Sequence, residues 1–364
     1  MKKIILAVLM ISALASISSA QLLVGSKATG MGGAGVADIR DMAAAYYNPA
    51  ELMESGNAEI KLSLAVATKN SDQLISAVSN MSDPGKFLTD NYNKALDVDG
   101  TASGLLGFNI RKVGISVIPE QGPWASLALN KPAASLEGTV NGTANAAVAI
   151  TLGRQYTLPG IPIGTLDVGV NVKYLTAGYA NLNAAATGGT QTWGSGSGFG
   201  FDFGMLTTVK VPYFSEMAVG LVARDVMASL TYKNKSQTLT PDYVNQTFTK
   251  GPEVALADST VNLPTSYVLG GSASVPGIGA VVALDYEMVS GKDTAAGNTH
   301  FGLEYPLLMG LLVARAGLAS GTNLSTSTIG AKIGLPFLTL DAAYAQDNLH
   351  GGNNTIVVDL TGGF

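Results

Sequence analysis

Apolar residues fall on every second position along much of this chain. In EIKLSLAV, Ile60, Leu62, Leu64 and Val66 share one parity, and Glu59, Lys61 and Ser63 share the other. GTLDVGVNVKY sets Leu166, Val168, Val170, Val172 and Tyr174 against Asp167, Gly169, Asn171 and Lys173. The same holds for Phe199, Phe201, Phe203 and Met205 against Asp202, and for Val282, Leu284, Tyr286 and Met288 against Asp285 and Glu287. Phe301, Leu303 and Tyr305 oppose Glu304; Ile329, Ile333 and Leu335 oppose Lys332; Leu338, Leu340 and Tyr344 oppose Asp341. Period two is the mark of a strand with one apolar and one polar face.

A soluble β-sandwich alternates too, but three features favour a membrane barrel. Many of these strands reach 10 to 14 residues, whereas globular strands run about 5–6 and a tilted outer-membrane strand needs about 9–11. The polar face is rich in Gly, Ala and ionised residues, as a crowded or wet lumen would be. Connectors alternate between short (275–279, 306–310, 335–338) and longer, polar ones (290–298, 320–327, 347–354), the pattern of periplasmic turns and outside loops. Fourteen strands are predicted, near 58–67, 101–111, 112–130, 145–155, 164–176, 196–209, 215–225, 265–276, 278–289, 298–306, 310–320, 326–335, 337–346 and 354–364. An even count leaves both chain ends periplasmic. Pro119 and Pro123 interrupt the third strand. Leu105, Val281 and Val313 fall on the polar parity, and Asp225 on the apolar one. Tyr174, Tyr267, Tyr286, Tyr305 and Tyr344 lie near strand ends, as an interfacial girdle should. The fold class expected is therefore all-β, a transmembrane antiparallel barrel of about 14 strands.

Composition narrows the rest. MKKIILAVLMISALASISSA has a basic start, an 11-residue apolar run and small residues before Ala20, the order of an export signal cleaved after residue 20. Without it the 21 basic residues fall to 19 against 26 acidic, a net charge of −7, which argues against nucleic acid as a partner. There is no cysteine, so neither disulfides nor a lipidated N-terminal cysteine is available. Charged residues are 13% of the chain and mean hydropathy is +0.28, yet beyond the signal no 18-residue apolar run exists to form a membrane helix.

Three segments are expected outside the strands. Residues 68–100 show helical spacing in Leu74, Ile75 and Val78 and in Leu88, Tyr92, Ala95 and Leu96, around the breaker Asp83-Pro84-Gly85. Residues 177–195 and 226–264 read as polar loops. GMGGAG places Gly30, Gly32 and Gly35 in the spacing of a dinucleotide fingerprint, with Glu51 at the distance of a ribose contact. That fingerprint needs a preceding strand and a following helix, and neither pattern is present, so no cofactor is implied.

ATGMGGAGVADIRDMAAAYYNPAEL resembles instead the mature N-terminus of the FadL-type outer-membrane barrels. That superfamily embraces long-chain fatty-acid transporters, PorV-type secretion barrels and a TraF-like conjugal-transfer branch. The residues that carry the resemblance are Met31, Gly32, Gly33, Ala34, Gly35 and Ala37, then Tyr46, Asn48, Pro49 and Ala50. LPTSYVLGGS and HFGLEYPLLMGLLVARAG are similar to the family's C-terminal hairpins, and the insert after the first strand is most similar to the TraF-like branch. The terminal NTIVVDLTGGF, with Phe364 on the parity of Leu360, Val358 and Ile356, resembles the signal read by the barrel assembly machinery; Gly362 departs from the bulky residue usual there. The resemblance implies that residues 21–57, including Gly30, form a hatch inside a barrel spanning 58–364 in the bacterial outer membrane. A simple tether into the first strand is the plain alternative.

Little else carries chemistry. His300 and His350 are expected at a loop edge and in a loop, solvated rather than metal-bound with Asp347. No nucleophile elbow appears, and no enzyme is expected. Asp285, Glu287 and Arg315 are expected in the lumen, lining a polar path or forming ion pairs that support the hatch. The leading expectation is a transporter or channel for small hydrophobic compounds such as long-chain fatty acids, with the helical face of 68–100 capturing them. The alternative is a barrel that anchors or hands over other proteins, secreted or conjugation-linked; a soluble periplasmic β-protein comes third.

Overall fold

In a computed structural model, the chain is described for residues 24–69, 96–119, 124–130, 137–157, 163–185, 188–211, 214–242, 247–290, 297–322, 324–349 and 354–363. The signal at 1–20, most of the helical insert (Leu74, Ile75, Val78, Leu88 and Tyr92), His350 and Phe364 lie outside them.

Eighteen strand segments form one antiparallel sheet. The first half comprises β1 (Ala58–Lys69), β2 (Leu96–Ile110), β3 (Val113–Pro119), β4 (Trp124–Asn130), β5 (Glu137–Tyr156), β6 (Ile163–Ala185), β7 (Gly188–Val211), β8 (Phe214–Asp242) and β9 (Thr247–Lys250). The second comprises β10 (Val254–Ala255), β11 (Ser259–Asn262), β12 (Ser266–Ser274), β13 (Val281–Val289), β14 (Gly297–Leu307), β15 (Leu312–Gly321), β16 (Leu324–Gly334), β17 (Leu338–Asp347) and β18 (Asn354–Gly363). β3 and β4 are two halves of one stave, and β9 to β12 are pieces of another that returns along β8. β18 pairs with β1 from Glu59↔Gly363 to Thr68↔Asn354, which closes the cylinder at 14 staves. Closure removes every sheet edge, the condition for crossing a membrane with strands.

Burial follows the predicted parity. Ile60, Leu62, Leu64, Val66, Val168, Val172, Tyr174, Leu284, Tyr286, Leu303 and Tyr305 are exposed on the outer surface. Lys61, Ser63, Asp167, Asn171, Lys173, Asp285 and Asp359 are buried within. Leu105 and Val313, apolar on the inner parity, are buried as well.

Three expectations need correction. Residues 177–195 and 226–264 are mostly strand: β6, β7 and β8 run 23, 24 and 29 residues, and β9 to β11 pair back onto β8. Past the apolar band the outer face meets water too, so the apolar alternation disappears while the ladder continues. Leu96 starts β2 rather than ending a helical face. Asp225 sits in a bulge, not on a lipid-facing parity. Between β7 and β8 the pairs Phe199↔Ser229, Phe201↔Val226 and Phe203↔Ala223 leave two extra residues on β8, and Asp225 and Met227 take φ of 57° and 55°. The bulge throws Met227 outward, 85% exposed, and lets Asp225 meet Lys173 of β6 on the inner face.

Candidate functional site

Residues 24–55 pack against the inner face on all sides of the cylinder. They form helix α1 (Ser26–Gly30), helix α2 (Ala44–Tyr47) and a 3-10 turn at Pro49–Met53. Asn48 opens that last turn: its extended backbone precedes Pro49 and its Oδ1 accepts the Ala50 N–H at 3.0 Å. Its Nδ2 donates outward to the Val36 carbonyl at 2.8 Å and the Met205 carbonyl of β7 at 3.1 Å. A short helix, not a strand, precedes the glycines, and Glu51 is buried with Oε1 accepting the Ile39 N–H at 2.8 Å. The segment therefore has none of the geometry of a dinucleotide site.

The glycines serve close approach. Gly32 and Gly33 take φ of 70° and 90°, which turns the chain sharply behind Met31. A Cβ on Gly302 of β14 would lie 2.5 Å from the Met31 Cβ, and one on Gly317 of β15 would strike the Gly32 backbone. Gly169 of β6 meets Pro49 in the same way. The glycine content of the inner parity thus reflects a crowded lumen, with backbone laid on backbone.

Polar groups fix the same contacts. Asp285 of β13 accepts the Gly35 and Val36 N–H groups at 2.7 and 3.0 Å. Thr328 of β16 accepts from Gly32 N at 3.0 Å and donates to the Gly30 carbonyl at 3.1 Å. Asn171 of β6 donates to the Ala45 carbonyl at 2.7 Å, and Asn109 of β2 to Ser55 Oγ at 2.8 Å. Lys61, 2% exposed, lies 2.8 Å from both Asp41 and Asp359. Of the predicted lumen charges, Asp285 binds the segment directly, Glu287 pairs with Arg224, and Arg315 bridges Glu304 and Asp341 at 2.7 and 2.6 Å. The Arg224 guanidinium lies 5.2 Å from the Tyr46 ring centroid. His300 corrects the loop-edge expectation: it lies on β14, is buried, and its Nδ1 is 2.8 Å from the Gly32 carbonyl. Its place on the parity of Gly302 and Glu304 was the missed signal. Glu51 Oε2 is buried without a hydrogen-bond partner among the described residues. Burial, reinforced by the charge of Asp38, pushes the Glu51 carboxyl well above its ordinary range.

The wall is irregular at the interrupted stave. β2 pairs with β3 from Leu106↔Val117 to Ile110↔Val113, and with β4 from Leu96↔Leu129 to Thr101↔Trp124. Among the described residues, 102–105 pair with neither half. On the other side β5 pairs Pro119↔Ala146 and then Trp124↔Thr143. Pro119, the last residue of β3, has no N–H to give the ladder. A cavity of about 460 Å³ opens there. Outward Leu64, Ala102 and Ala144 line it together with Ser103, Asn145 and Ala177 of the inner parity. Behind it the lumen is apolar: Leu105, Ile118, Ala147, Leu175 and Leu230 form one buried cluster, with Tyr46 and Tyr232 against it. A smaller chamber of about 150 Å³, bounded by Tyr46, Ile118, Lys173 and Arg224, lies beside that cluster. A polar one of about 340 Å³, lined by Lys27, Asp38, Arg40 and Glu216, lies toward the end that carries the short turns.

No family model matches this chain, and no curated protein matches it in sequence. Solved structures do. The toluene transporter TbuX of Ralstonia pickettii aligns with a TM-score of 0.62 at 14% identity, over 93% of this chain and 98% of its own. The P. putida toluene transporter TodX gives 0.56 at 13% identity, over 93% and 98%. The CymD monoaromatic hydrocarbon channel gives 0.55 at 14%, over 94% and 97%. At this identity the likeness establishes the architecture: the chain has the 14-strand barrel fold of these outer-membrane proteins.

Proposed function

We propose that this barrel carries small hydrophobic compounds across the bacterial outer membrane, with both chain ends in the periplasm. The wall opening beside the interrupted stave carries this reading. It opens beside outward Leu64, Ala102 and Ala144, and Ala177 on its lining packs against the apolar cluster of Ile118 and Leu175. A hydrophobic molecule passes from one apolar surroundings to another there, without crossing water or leaving a buried polar group unpaired. Residues 24–55 act as the hatch below that cluster, and onward passage requires part of this segment to move. The barrels with this fold that carry toluene support a small aromatic cargo; long-chain fatty acids are the second cargo to try.

Uptake of labelled toluene and of a labelled long-chain fatty acid by cells with and without the protein tests the reading. Ala102→Trp and Ala144→Trp fill the opening and are expected to abolish most uptake, whereas Leu303→Trp on a remote lipid face leaves it intact. Equal uptake in all four strains refutes the route. Deleting residues 24–50 tests the hatch: single-channel conductance should rise, and an unchanged conductance argues for a tether.

A second reading, a barrel that hands over other proteins as in the secretion- and conjugation-linked branches, is favoured by the strand extensions of β6 to β8. Recovery of a stable protein partner dependent on residues 229–242, together with absent uptake, would select it.

A further inference from the structure

Among the described residues, the turns at the end of the barrel that carries the chain termini differ between its two sides. One side has the β2–β3 turn, with the exposed cation Arg111 beside Lys112, and Arg154, which is exposed near the end of β5. The other side, along β12 to β17, has turns made of large apolar residues. Ile278 is exposed between β12 and β13, Leu308 (72%) and Met309 (108%) between β14 and β15, and Leu335 and Phe337 (68%) between β16 and β17. Leu308 and Met309 take φ of 48° and 58°, a conformation L side chains rarely adopt, and both side chains project from the turn.

On three of these strands, β13, β14 and β16, the outward apolar run is short. The outward apolar runs Val282–Met288, Phe301–Leu307 and Ile329–Leu335 each span six residue steps. Six steps of about 3.4 Å at a tilt of about 40° rise about 16 Å, against an apolar band of about 25 Å in outer-membrane barrels. The opposite runs Ala102–Ile110, Ala144–Leu152 and Leu166–Tyr174 span eight steps, or about 21 Å, and two of the three end near the cations. The apolar turns continue the short face without a polar break: Leu307 leads into Leu308, and Ile333 into Leu335 and Phe337.

We propose that the turns at Ile278, Leu308–Met309 and Leu335–Phe337 are immersed in the lipid leaflet at that end, completing the apolar band where the strands fall short. The barrel then sits deeper on the β12–β17 side, with Arg111 and Arg154 at headgroup level on the other. This rests on the barrel fold and not on the transport reading, which would survive its failure.

The cysteine-free chain makes the test direct. Nitroxide labels at Ile278→Cys, Met309→Cys and Phe337→Cys in full-length protein are compared, in phosphatidylethanolamine–phosphatidylglycerol vesicles, with Leu303→Cys as the lipid reference and Arg111→Cys as the headgroup reference. Collisions with oxygen should exceed those with a water-soluble nickel chelate severalfold at the three turns, as at residue 303 and unlike residue 111. A residue 111 pattern at positions 309 and 337 overturns the proposal. So does spin–spin broadening at 309 that vanishes on dilution with unlabelled chain, because a second copy then covers the turn. Leu308→Cys and Leu335→Cys replace any variant that does not show the heat-modifiable migration of a folded barrel.

Discussion

Replacing Asp285 isolates one fastening of residues 24–55 to the wall. Its carboxylate is 2% exposed and accepts two backbone N–H groups, from Gly35 at 2.7 Å and Val36 at 3.0 Å. A hydrogen bond to a charged group contributes about 1.5–3 kcal/mol, so Asp285→Ala removes about 3–6 kcal/mol of local docking. At about 1.4 kcal/mol per tenfold, local opening becomes about 10²–10⁴ more populated. Asp285→Asn keeps one neutral acceptor oxygen and should lie between. The assay is amide hydrogen exchange at Gly35 and Val36 in detergent-purified protein, with Ala50 as an internal reference held by Asn48 rather than by the wall. Exchange at 35 and 36 should quicken in the order wild type, Asn, Ala, while Ala50 holds its rate. If the Ala variant exchanges Gly35 and Val36 at the wild-type rate, the carboxylate does not hold this segment and the reasoning fails.

Lys61→Met strands Asp41 and Asp359 without their shared cation, so the thermal midpoint of heat-modifiable migration should fall with a loss of about 3–5 kcal/mol; adding Asp359→Asn should recover part of it. Gly302→Val drives a side chain into Met31 at a cost of about 1–3 kcal/mol and should quicken protease nicking of residues 24–55, whereas Gly271→Ala, with only the Ala218 carbonyl oxygen at 3.6 Å, should not. Glu51 supplies a pH signature. Its folded pKa is raised above the ordinary value of 4.5, so its contribution is fully present below that value and is lost as pH rises through the folded one. Thermal stability should therefore decline with pH above about 4.5, and Glu51→Gln should flatten that part of the profile.

The lipid-facing staves were legible because their surroundings differ on the two faces. Leu166 to Tyr174 meet hydrocarbon on one side and Asp202, Pro49 and the Ala45 carbonyl on the other, and alternation records that contrast. The extensions of β6 to β8 were not legible for the same reason, since Thr190, Lys233 and Ser236 stand in water whichever way they point. The bulge at Asp225 escaped because its glycine-like φ is taken by Asp and Met, with no glycine to mark it. The motif at Met31–Gly35 and Asn48–Ala50 announced an ordered segment, but not its partners, which lie on strands hundreds of residues away. His300 shows the limit clearly: its parity was readable, yet its contact with Gly32 depends on closure of a cylinder that no local pattern encodes.

A glycine can be exchanged only for something larger. Where Gly302 and Gly317 touch Met31 and Gly32, every substitution adds bulk, so the joint has only one direction in which to err. Random mutagenesis should find it intolerant at these facing positions of two neighbouring strands, while the greasy exterior a few ångströms away accepts one apolar side chain for another.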